Sequence, residues 1–287
     1  MHYYMYADTS VCLRSVMIYS IDFETRSFAD LTEVGLDKYA NCLSTQVLCI
    51  AFGTEPSDVV VHKPYIFTEQ PLWRLINHVK DGGKIQAWNA MFEYAIWNCV
   101  CVPKYGWPEL KLEQCIDSMA IAAANNVPQS LGDAAIFMDA NQQKDTRGRY
   151  LIQKLCKPHK GAFNNDPDLL KELFDYCAQD VRTEMAIGSV LRPLSPSEQD
   201  VWTLTQRINL RGVPVDYMEL HNAHWAVIRA QDALDNECVA LTGFKPSERA
   251  KLLDWINRCL VTIGQAKMSD LTAETVEAKI KELEASL

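Results

Sequence analysis

No stretch of this chain approaches the roughly 20 consecutive apolar residues that a transmembrane helix needs, so no membrane partner is expected. A secretory signal is missing too. Residues 1–20 carry one basic side chain, Arg14, and no apolar core followed by a small-residue cleavage site. The ten cysteines contain no CxxC pair and have no regular spacing, which argues against a zinc site or a disulfide framework. Reduced thiols in a cytoplasm are the simpler expectation. Basic charge is also in deficit. With 28 Lys and Arg against 37 Asp and Glu, the net charge is −9. That argues against a protein that coats nucleic acid nonspecifically. It does not exclude an enzyme that grips one strand end beside a carboxylate-rich metal site. There is no internal repeat and no low-complexity segment.

What is present is ordinary globular material: 287 residues, 48% hydrophobic and 23% charged. That suffices for one large domain with a helical extension. Residues 17–23 read as a short apolar strand ending in acids, and residues 46–52, 59–62 and 85–87 as further strands. Helical patterns are interleaved with them, which suggests an α/β sandwich. Asp166-Pro167 reads as an N-cap with proline in the first helical turn. Ser195-Pro196-Ser197-Glu198 reads as a capping box, with Gly212 as the stop of its helix. From Asp216 onward no strand pattern remains. The expected divisions are an extension over 1–16, a domain over 17–194 and a helical part over 195–287. Met17 could serve as an alternative start.

Three short spacings could carry chemistry. Asp22-Phe23-Glu24 ends the first strand, where residues two apart share a face, so both carboxylates could bind one divalent cation while Phe23 enters the core. Asn89-Ala90-Met91-Phe92-Glu93 follows the strand at 85–87, and a helix opening at Asn89 puts Glu93 one turn on. Tyr176 and Asp180 lie four apart in the helix that starts at Asp166, so a phenol stands beside a carboxylate. Each spacing is common by itself: Asp235-Asn236-Glu237, Asn77/Asp81 and Tyr4/Asp8 repeat them with no such setting. Asp117, ahead of Ser118 and Met119, reads as a helix cap and not as a catalytic acid.

In their order and settings these motifs are different. A strand-end DxE, an NxxxE opening a helix and a YxxxD in a late helix resemble the DEDDy branch of the DnaQ-like 3′-to-5′ exonucleases, the proofreading domains of family A DNA polymerases. The resemblance covers roughly residues 17–192. Trp88-Asn89-Ala90-Met91-Phe92-Glu93, Lys144-Asp145 with Gly148, Leu151-Ile152 and Cys156-Lys157-Pro158 are similar to phage-type polymerase sequences. From Leu194 through Val201-Trp202 to Arg211-Gly212-Val213-Pro214-Val215-Asp216 the chain resembles the segment that opens the polymerase portion, the start of the thumb region. No motif supplies the palm aspartates or a nucleotide-gripping lysine helix. The histidine-dependent branch of the superfamily needs a histidine where Tyr176 stands.

The resemblance implies a ribonuclease H-like fold, a mixed and mostly five-stranded sheet flanked by helices, with an all-helical C-terminal extension. It implies two-metal hydrolysis of the terminal phosphodiester of single-stranded or frayed DNA, with Mg²⁺ or Mn²⁺ suited to hard oxygen ligands. Asp22 would bridge both ions, Glu24 and Asp180 would complete the first site, Glu93 would hold the second through water, and Tyr176 would orient the attacking water. Aspartate is usual where Glu93 stands; the extra methylene moves the carboxylate by about 1.5 Å. Residues 144–160 concentrate basic side chains, and Lys144, Arg147, Arg149 and Lys154, with Asn89 and Phe92, are the candidate contacts to a single-stranded 3′ end. Phe92, Trp88 and Trp97 could stack on bases, but at helical spacing core is the first reading for them. The expected setting is the cytoplasm of a bacterial or phage-infected cell, beside a separate polymerase polypeptide. Two alternatives stay open: an RNA 3′-exonuclease of the same superfamily, and a non-catalytic assembly fragment of a polymerase.

Overall fold

The computed structural model describes residues 17–64, 70–139 and 147–286. The 1–16 extension, Lys144 and Asp145 lie outside them. Two compact units are present, Met1–Arg211 and Gly212–Leu287.

The first unit is built on five strands in the order β3-β2-β1-β4-β5. They are β1 (Ile18–Arg26), β2 (Gln46–Gly53), β3 (Val60–His62), β4 (Lys84–Ala87) and β5 (Cys115–Asp117). β2 runs antiparallel to β1 and β3, while β1, β4 and β5 are parallel. Helices α1 (Leu31–Ala40), α2 (Gln70–Lys80), α3 (Ala90–Ile96), α4 (Val102–Tyr105), α5 (Ser118–Ala124), α6 (Leu131–Phe137), α7 (Gly148–Leu151), α8 (Pro167–Gly188) and α9 (Pro196–Arg211) flank it. This is an α/β architecture of the ribonuclease H-like kind, as the resemblance implied.

β1 is central because its alternation serves two faces. Ile21 and Phe23 are buried. Phe23 packs its ring against Trp97 and Trp107, at centroid distances of 6.5 and 6.3 Å. Trp97 is therefore core, as is Ala90 at the start of α3. On the opposite face, α8 lies over β1 and β2, with Cys177, Ala178 and Val181 packed against Cys49, Ala51 and Val59. The register of β1 on β2 shifts between Glu24 and Thr25, a bulge of the sort that re-aims side chains at a strand end.

The helix signals hold. Asp166 accepts hydrogen bonds from the backbone N–H groups of Asp168 and Leu169, with Pro167 beginning α8. Ser195 and Glu198 form the reciprocal box: the Ser195 N–H donates to Glu198 Oε2 at 2.6 Å, and the Glu198 N–H to Ser195 Oγ at 3.3 Å. α9 ends at Arg211, and Gly212 takes a left-handed φ of 67°.

The compact unit runs past the boundary expected at 194/195. α9 belongs to it because Trp202 is buried in the main core cluster, its Nε1–H donates to Asp117 Oδ2 at 3.0 Å, and Arg207 pairs with Glu113.

The second unit holds α10 (Tyr217–Thr242), α11 (Arg249–Thr262) and α12 (Ala273–Ala285). Asp216 caps α10 by accepting from the N–H groups of Met218 and Glu219. Asn257 of α11 clasps the backbone of Met268 by donating to its carbonyl and accepting from its N–H. α10 buries no residue. Trp225 and Leu234 are exposed, while Leu252, Leu253, Trp255 and Ile256 are half-buried.

Candidate active site

β1 delivers Asp22 and Glu24 to the face covered by α8. Asp22 is half-buried, and the Cys177 thiol donates to its Oδ2 at 3.2 Å and approaches its carbonyl oxygen at 3.5 Å. Burial pushes the Asp22 carboxyl up to about 6, with the thiol opposing the shift. Glu24 is buried; burial first, and then the charges of Asp22, Cys49, Asp180 and Glu93, hold its carboxyl well above the usual range.

Glu93 arrives from the β4–α3 connection. Asn89 sits at the N-cap of α3 in the left-handed region, φ 67° and ψ 56°, and its side chain makes no cap bond. Its N–H instead donates to Asp117 Oδ1 at 3.2 Å. The turn leaves Asn89 exposed and sends Glu93 inward to 2% exposure. Glu93 Oε2 has no hydrogen-bond partner. Burial, then the charges of Asp22, Glu184 and Asp117, raise its carboxyl well above the ordinary value.

α8 supplies Tyr176 and Asp180 one turn apart. Burial first, then the charge of Asp180 and a hydrogen bond to it, hold the Tyr176 phenol protonated. Tyr176 also lies tight against α7: a Cβ on Gly148 would stand 2.4 Å from its ring. A cleft of about 540 Å³ opens at this point, lined by Glu24, Tyr176 and Asp180 and by Phe28, Leu31 and Phe92.

Sequence reasoning passed over Glu184, which lies one turn past Asp180 and is 1% exposed. Its carboxyl is pushed up to about 8, first by burial and then by Asp22 and Asp117, against a hydrogen bond from Ser118. The spacing 176, 180, 184 was there to be seen. Asp117 caps α5, accepting from the N–H groups of Met119 and Ala120.

The basic residues divide. Arg147, Arg149 and Lys154 are all exposed. Arg147 pairs with Glu172 at 2.5 Å, and Arg147 and Lys154 both lie over the Tyr150 ring. Lys157, pairing with Asp30 at 2.8 Å, edges the cleft. Phe92 lines the cleft, so it is both wall and partial core. Lys144 lies outside the described residues.

The donor set at Asp22, Glu24, Glu93 and Asp180 is all hard oxygen, suited to Mg²⁺ or Mn²⁺. The charges that most raise Glu24 and Glu93 are all negative, and an orphaned oxygen points to a missing partner. In these respects the residues fit a cation. Among the described residues, however, no three His, Cys, Asp or Glu side chains are gathered closely enough to hold one ion, so binding would have to draw the carboxylates in. No described helix is long and apolar enough to cross a membrane.

No family model matches the chain. A DNA polymerase of Bacillus phage SP02 is 28% identical over 275 residues, covering 91% of this chain and 41% of the phage protein. The chain thus spans about two fifths of the length of that relative. In sequence the chain is thus similar to part of a phage DNA polymerase.

Proposed function

We propose that this chain is a metal-dependent 3′-to-5′ exonuclease that removes nucleotides from single-stranded or frayed DNA, proofreading for a DNA polymerase. The observation that carries the reading is the set of mutually repelling carboxylates, Glu24 and Glu93 buried and Asp22 and Asp180 half-buried, of which Glu24 and Asp180 line a cleft with aromatic walls. Burying like charges together costs stability unless a cation offsets them.

Mg²⁺ or Mn²⁺, as two ions held by Asp22, Glu24, Asp180 and Glu93, would acidify water and stabilise charge on the phosphate. The side chains do the remainder. Phe28 and Phe92 offer flat apolar surface to the terminal base; such stacking contributes about 1–3 kcal/mol per base and tolerates any sequence. Tyr176, held protonated and donating to Asp180, positions water by accepting a hydrogen bond at its phenol oxygen and does not act as a base. Asp180 fixes the direction of that phenol. Arg149 and Lys154 would contact phosphates further along the strand.

Similarity to a DNA polymerase favours DNA over RNA as substrate. A polymerase polypeptide is the proposed partner, with the exposed apolar residues of α10 as its contact. The reading is tested by incubating the chain with 3′-labelled DNA and RNA oligonucleotides in Mg²⁺ or Mn²⁺. Release of nucleoside 5′-monophosphates from DNA is the expected result. No release from DNA in either metal would overturn it, and preferential release from RNA would replace it with the RNA-processing alternative.

A further inference from the structure

Glu184 is the most buried carboxylate among the described residues. It shares a face of α8 with Tyr176 and Asp180. Ser118 Oγ donates to its Oε1 at 2.5 Å, and Gln86 Nε2 donates to Ser118 Oγ at 2.8 Å. These neutral donors bring no positive charge to it, so among the surrounding acids the carboxyl keeps its proton in the metal-free chain. Asp22 and Glu93 lie within electrostatic reach. A glutamine could accept the same bond from Ser118 without burying charge among acids, so the carboxylate is more than scaffolding requires.

Its connections run to Glu93. Ser118 is the first residue of α5, whose cap Asp117 also accepts the Asn89 N–H. Asn89 in turn opens α3, the helix that carries Glu93, whose Oε2 is the one buried side-chain oxygen among the described residues without a partner. We propose that Glu184 is a positioning residue of the cation centre: an arriving divalent ion draws off its proton, and the buried carboxylate so formed, with its bond from Ser118, holds the Glu93 side for the ion. The proposal rests on the exonuclease reading only in expecting a cation there.

The test is Mn²⁺ binding to the full chain by calorimetry, together with metal-free thermal unfolding. Glu184→Gln keeps an acceptor for Ser118 and removes the charge; Glu184→Asp keeps the charge and retracts it. Glu184→Gln should bind Mn²⁺ about 10- to 100-fold more weakly, with a metal-free Tm equal to or above that of the parent. Glu184→Asp should recover part of the affinity. Parent-like Mn²⁺ binding in Glu184→Gln, with Glu93→Gln impaired, would overturn the role of Glu184 and leave the cation centre standing. Failure of the parent chain to bind Mn²⁺ would remove the centre itself. A Glu184→Gln chain that unfolds without metal would make the carboxylate a structural necessity and also overturn the proposal.

Discussion

Asp22 meets the Cys177 thiol on one side and the charges of other acids around it. Asp22→Ala should therefore abolish hydrolysis while leaving the metal-free fold at least as stable, because a buried repulsion is relieved. Turnover of a labelled strand and a metal-free melt check both halves, and retained turnover would refute the assignment. Tyr176→Phe should slow the reaction less than Asp180→Ala, since a hydroxyl that orients water contributes less than a cation ligand; the opposite order in single-turnover rates would mean the α8 motif is misread. Gly148→Ala should both slow turnover and cost about 1–3 kcal/mol, because its new methyl collides with the Tyr176 ring. Parent-like values for both would show that the ring moves aside freely. The residues proposed for the site were legible as spacings, but Glu184 was not chosen. An acid at every fourth position of a helix usually marks a solvated face, and only the packing of α8 on β1 turns this face inward.

Among the elements, long periodic segments, caps and the short strands β3 and β4 were readable, expected at 59–62 and 85–87, and β5 was not. β5 has three residues and no alternation, so nothing in its sequence separates it from a loop; its pairing with β4 makes it a strand. α3 was legible from Asn89, yet its continuation through a π-helical stretch, Trp97–Cys101, was not, since no residue type or spacing in the sequence marks that rare conformation. The capping box announced α9 but could not say which body the helix joins. Trp202 decides that, by filling the core and donating to buried Asp117. A chain cut at residue 194 should thus be less stable than one cut at 211, and Trp202→Ala should cost about 3–5 kcal/mol. Urea midpoints of the three proteins measure it; equal midpoints would make α9 an ornament of the first unit.

Over the whole molecule, excess acid governs the response to pH. Asp22 and Glu184 have folded-state carboxyls raised to about 6 and about 8, so the folded state holds protons that the unfolded chain has released. Stability from these groups is present below their unfolded values and lost as pH rises through the folded ones. In chelator, the Tm should fall between pH about 5 and about 8, and Mg²⁺ should reverse the fall. A metal-free Tm that climbs across that range would contradict the buried-acid picture. The sequence also lacks palm motifs, so the purified chain should shorten primers and not extend them with all four nucleotides present; template-directed extension would refute this. The fold class was legible in the order of the motifs. The boundary was expected at 194, where a capping box opens a new helix, whereas the compact units divide at Gly212, close to where the strand pattern ends.

The cysteines have one more consequence. Cys49, Cys101, Cys115, Cys156 and Cys177 are buried in the first unit, whereas in the second unit Cys259 is exposed and Cys238 half-buried. Each unit therefore carries its own chemical clock. Pulsed alkylation followed by peptide mapping should mark Cys259 at once and reach Cys177 only when α8 lifts from β1. Opening of the sheet face under α8 could then be timed on the unmodified chain, with no dye and no engineered label.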